Sequence, residues 1–101
     1  MAIANPTMHA RTAADGLTRL VRDVRSGRAR WTHPEHVRQS TDELARAAEA
    51  IATVVGEMTA ALALLGQPGP HVQQTNAALH QAAQGAVTAA AQLRQARRTM
   101  H

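Results

Sequence analysis

Between Ser40 and Leu65 the apolar residues fall at Leu44, Ala48, Ile51, Val55, Met58, Leu62 and Leu65, alternately four and three positions apart. That spacing keeps one stripe of an α-helix turned toward a packed partner, so it predicts a heptad seam. Val37 and Thr41 carry the same spacing backward, and Pro34 suits a first helical turn, where its missing N–H costs nothing. The pattern therefore predicts a continuous helix over 34–65, started by a Thr32/Glu35 capping box. Ser40 with Glu43 offers a second box and a kink there as the alternative. A charge placed in this seam, as in Ile51→Asp, would be expected to unfold the domain.

Upstream, Asn5-Pro6 reads as a cap followed by proline at the first helical position. It opens a helix over 6–26 with a stripe at Ala10, Ala13, Leu17, Leu20, Val21 and Val24. Gly16 interrupts this helix at a cost of about 1 kcal/mol relative to alanine, and Thr12 with Asp15 offers a later start. Ser26-Gly27 is the stop. Residues 1–5 are expected to be disordered and 27–33 to form a short linker carrying Trp31, folded back over the core.

Downstream, Gly66-Gln67-Pro68-Gly69-Pro70 is a strong breaker and predicts a turn over 66–70. The third helix, over 71–99, carries two adjoining stripes. One runs through Val72, Asn76, Leu79, Ala83, Ala86, Ala90, Leu93 and Met100, and the other is uniformly small, at Ala78, Ala82, Gly85, Ala89 and Ala96. Helix B, over 34–65, has its own small residues beside the seam at Ala45, Ala47, Ala52 and Ala61. From Thr41 to Leu65 such a helix spans roughly 38 Å, and a short link between rods of matched length predicts an antiparallel hairpin. The fold class read from the pattern is all-α: three helices, up-down-up, built on that hairpin.

Composition changes this picture in one respect. Of 101 residues, 45% are hydrophobic, but about half of these are alanine, with no Phe or Tyr and a single Trp. Alanine favours helix yet buries little area, so the core is thin for a single domain and oligomerisation, with a dimer first, is expected to complete it. The candidate interface and core positions are Leu44, Ala48, Ile51, Val55, Met58, Leu62, Leu65, Leu79, Ala82, Gly85, Ala86, Ala89 and Leu93.

The net charge of +4 is carried by arginine alone. In an up-down-up bundle Arg22, Arg25, Arg28 and Arg30 would meet Arg94, Arg97 and Arg98 at one pole, a candidate phosphate grip for DNA or RNA. Asp42, Glu43 and Glu49 fall at the same pole as pairing partners. No aromatic interleaving suits single-stranded bases, and no helix-turn-helix or zinc-finger spacing is visible.

Other chemistry finds little footing. The absence of cysteine excludes disulfides and thiolate catalysis. His33 and His36 resemble half a metal site without a third ligand, since His9, His71, His80 and His101 do not converge on them. Ser26 and Ser40 are accounted for by stop and cap, so neither an enzyme nor a cofactor is expected. No run reaches about 18 consecutive apolar residues, so no membrane span or membrane partner is expected. The first residues lack signal-peptide character, which makes a cytoplasmic home the expectation. Secreted helical-hairpin proteins of about this length carry a Trp-x-Gly turn between two long helices. Here Trp31 is followed by Thr32 and His33 and precedes the hairpin, so no family is claimed. The outer face of the third helix, Gln73, Gln81, Gln84, Thr88, Gln92 and Gln95, is polar but uncharged, as a helix bedded against a second chain would be. Asn76, on the apolar stripe, could set register in such a contact. The expected role is a non-catalytic assembly or adaptor module, with nucleic-acid binding as the alternative.

Overall fold

The computed structural model describes residues 5–66 and 69–100, and among them the chain forms three α-helices and no strand. These are α1 (Thr7–Ser26), α2 (Pro34–Leu65) and α3 (Val72–Thr99). They divide into two compact units, residues 1–32 and residues 33–101.

The first unit is α1 with its flanks. Asn5 Oδ1 accepts the Thr7 N–H at 3.0 Å, and Pro6 has helical dihedrals, φ −70° and ψ −9°. The Pro6 carbonyl accepts from His9 at 3.0 Å, so the proline occupies the first turn, where it has no N–H to leave unpaired. Thr12 Oγ1 donates to the Met8 carbonyl at 3.1 Å, so the helix is already formed upstream of Gly16 and the later start is not used. It stops at Gly27, whose φ of 81° puts it in the left-handed region; its N–H donates to the Val24 carbonyl at 3.2 Å. The Ala29 N–H reaches the Asp23 carbonyl at 3.0 Å and satisfies a second open acceptor of the last turn.

The second unit is α2 packed on α3. His33 is extended, with φ −132° and ψ 142°, and Pro34 opens the helix. The anticipated Thr32/Glu35 box gives way to another partner: the Glu35 carboxylate accepts from Arg38, 2.9 Å from its Nε. The helix then runs unbroken through Ser40 to Leu65 and ends at Gly66, φ 63°. Gln67 and Pro68, part of the anticipated turn, lie outside the described residues, as do residues 1–4 of the anticipated disordered start. At 1.5 Å per residue, α2 is about 48 Å long and α3 about 42 Å. Asp42 pairs with Arg97 at 3.1 Å and Glu49 with Arg94 at 2.6 Å, so the order of contacts along α3 reverses that along α2.

The phase of the seam differs from the one the apolar spacing suggests. The stripe of α2 that is buried or half-buried is Thr41, Ala45, Ala48, Ala52, Val55, Thr59 and Leu62, still four and three apart. Its centre is small: Ala45 is 0% exposed, facing a stripe of α3 where Ala90 is 3% exposed. Of the anticipated seam, Leu44, Ala48, Val55 and Leu62 stay partly covered. Ile51 and Met58 are each 48% exposed and Leu65 is 73% exposed. On α3, Leu79, Ala86 and Leu93 are half-buried, whereas Ala82, Gly85 and Ala89 are exposed. The physical reason is closeness. A methyl at Ala45, Ala52 and Ala90 lets the two helices approach, and the gain is dispersion between backbones rather than area covered by large side chains. Thr41 and Thr59 can join this stripe because their hydroxyls donate to the Val37 and Val55 carbonyls, at 2.8 and 3.0 Å, and so lose no hydrogen bond on facing a neighbour. Ile51→Asp therefore does not place a charge in the α2–α3 contact, and it should leave the domain folded.

Taken as mean hydropathy rather than as an unbroken apolar run, α2 contains an 18-residue window at 1.6, long and apolar enough to cross a membrane by length and composition. A helix that packs against protein meets the same criterion, so this window alone does not establish a span.

Candidate functional site

The second unit has two unlike flanks. At about 100° per residue, Asp42 and Glu49 lie on one side of the Ala45–Ala48–Ala52 line, and the pairing of Glu49 with Arg94 marks the same side of α3. The other side of α2 carries Leu44, Ala47, Ile51, Val54, Met58 and Leu65. The same side of α3 carries Ala78, Ala82, Gly85, Ala89 and Ala96. A row of large apolar side chains thus lies beside a row of small ones, and neither row contains a charge. Ile51, Val54 and Met58 each leave about half their surface to solvent. The sequence pattern contains both rows; it does not say that they lie side by side, which follows only from the phase at which α2 and α3 meet.

The opposite flank is charged and internally paired. The Arg94 hydrogen bond is the main cause that holds the Glu49 carboxyl below the usual carboxylate range, and the same contact raises the Arg94 guanidinium. Glu35 is lowered first by its hydrogen bond from Arg38, then by that residue's charge. Glu43 pairs with Arg46 at 2.9 Å, and Arg98 donates to Gln95 Oε1 at 2.6 Å.

The candidate phosphate-binding arginines are therefore divided. Arg94 and Arg97 engage acids and Arg98 an amide, all within the second unit. Arg22, Arg25, Arg28 and Arg30 belong to the first unit, together with Arg11 and Arg19. Counted by unit, residues 1–32 hold six arginines against two aspartates, and residues 33–101 hold five arginines against five acids. The whole excess of +4 belongs to the first unit.

The His33 and His36 rings meet edge to face, centroids 5.1 Å apart and planes at 85°. Among the described residues no three His, Cys, Asp or Glu side chains are grouped to hold a metal ion; His101 lies outside them. Trp31 sits in the link, 45% exposed rather than enclosed. The glutamine face of α3 is exposed throughout. Comparisons with protein-family models, with curated proteins and with solved structures find no match to this chain.

Proposed function

We propose that the chain is a non-catalytic assembly module. Its α2 and α3 act as an antiparallel hairpin, and its uncharged flank receives a second copy. The observation that carries this reading is the pair of unequal rows. A two-fold axis running along the hairpin would set the large row of each copy over the small row of the other, a self-complementary contact that closes a four-helix bundle.

The magnitude is of the right order for a reversible dimer. Full burial of a Leu, Ile, Val or Met side chain stabilises by about 1.5–3 kcal/mol, so covering the exposed parts of Ile51, Val54, Met58 and Leu65 contributes about 3–7 kcal/mol per copy. Two copies together offset an association cost of about 4–15 kcal/mol, with close contact over the Ala and Gly row added to that. A micromolar Kd needs a net surplus of about 8 kcal/mol, which the large row alone does not supply, so close contact over the Ala and Gly row must contribute the rest.

Light scattering at tens of micromolar, the order of magnitude such affinities require, should give twice the mass of the chain. Ile51→Asp should return it to a monomer whose far-UV circular dichroism is still helical. A wild-type monomer at that concentration would refute the reading, and so would an Ile51→Asp variant that remains dimeric.

A further inference from the structure

We propose that the first unit binds an anionic lipid surface, with α1 lying in the plane of the interface. This is separate from assembly through the hairpin flank and uses none of its residues.

Three observations converge on it. All the excess positive charge of the protein lies in residues 1–32, while the second unit is neutral. Within α1 the charge is sorted by face. At about 100° per residue, Leu17, Leu20, Val21 and Val24 share one narrow sector, and Arg11, Arg19, Arg22 and Arg25 lie outside it, with Asp15 and Asp23 among them. Finally, the apolar sector is partly open to solvent: Leu17 and Val21 are 40% and 49% exposed, Leu20 and Val24 are half-buried, and no residue of α1 is buried. Half-exposed Trp31 follows in the link, beside Arg28 and Arg30.

A helix with a basic face, an open apolar face and a nearby tryptophan matches the two layers of a bilayer surface at once: headgroup phosphates for the arginines, and the acyl boundary for the leucine and valine side chains. Nucleic acid offers phosphates but would leave Leu17 and Val21 in water. That difference favours lipid, and it also gives the test its second arm.

Trp31 is the only aromatic residue of the chain, so its fluorescence reports this unit alone. The full-length protein is titrated with vesicles of phosphatidylcholine, with vesicles of phosphatidylcholine and phosphatidylserine, and with mixed-sequence duplex DNA. Binding to the anionic vesicles, with a blue shift of Trp31 and co-sedimentation, is expected, along with none to the neutral ones. Leu17→Asp should abolish it. Arg22→Glu, a change of two charges, should weaken it about thirtyfold. Ile51→Asp, which addresses assembly, should leave it in place, so failure of one proposal is told from failure of the other. Absence of binding to anionic vesicles, or equal binding to neutral ones, would overturn the inference. Tighter binding to DNA that survives Leu17→Asp would overturn it in favour of a nucleic-acid partner.

Discussion

Replacing Ala45 with leucine puts an isobutyl group where a methyl already has no exposed surface and lies at the contact of α2 with α3. Overpacking of a filled site costs about 1–3 kcal/mol. Here the middle of that range applies, because among the described residues no large side chain is fully buried that could turn aside to make room. The helices themselves must separate, and separation also loosens the contacts of Ala48, Ala52 and Ala86 along the same stripe. For a domain of this size 1 kcal/mol moves the melting temperature by about 4–8 °C, so about 2 kcal/mol lowers it by about 8–16 °C. With a urea m-value of about 1–3 kcal/mol/M, the midpoint falls by about 1 M. The measurement is thermal and urea unfolding by far-UV circular dichroism, run at one protein concentration because self-association makes the midpoint concentration-dependent. Ala50→Leu, at an exposed position of the same helix, is the control and should stay within about 0.5 kcal/mol of wild type. An Ala45→Leu variant that melts with or above wild type would refute the packing argument. That is the result expected if Leu44, Ile51 and Met58 faced α3 and Ala45 lay beside them.

Three further outcomes follow from the same geometry. Because the Glu35 and Glu49 carboxyls are held below the usual 4.5 in the folded chain, their contribution is complete above that value and is lost as pH falls through the lowered ones. Melting temperature should be level from about pH 7 to about pH 5 and then drop, and Glu35→Gln with Glu49→Gln should shrink the drop; an undiminished drop would assign it to other groups. Glu49→Arg sets two cations together and should destabilise the α2–α3 contact, while adding Arg94→Glu should restore it, as a double-mutant cycle would measure; independent effects would mean that the 2.6 Å pair is not formed in solution. Gly66→Ala forces a side chain into the left-handed region at φ 63° and should cost about 1 kcal/mol, visible as a loss of roughly 5 °C in melting temperature; an unchanged midpoint would mean the helix can end elsewhere.

Where helices begin and end was legible in the residues, because those signals are local. Asn5-Pro6, Gly27, Pro34 and Gly66 each act through the dihedrals or hydrogen bonds of their own turn, and the described helix ends fall within a residue or so of them. Glu35 shows the limit of that logic. Two local partners compete for one carboxylate, and Arg38 on the next turn takes it from the capping box. Gly16 shows another, since a single weak helix former inside α1 does not stop a helix already closed on both sides of it.

The three-and-four spacing of α2 established by itself that one stripe would be covered. It did not establish which, because a rotation to the adjoining column leaves the spacing intact, and hydrophobicity ranks leucine above the alanine and threonine that actually face α3. Only the packed pair of helices decided the phase, through how closely small side chains let two backbones approach. From that phase follow the open large-beside-small flank and the partners of Arg94 and Arg97. Periodicity along one chain fixes an angle per residue, whereas the direction in which that angle is used is a property of two surfaces in contact.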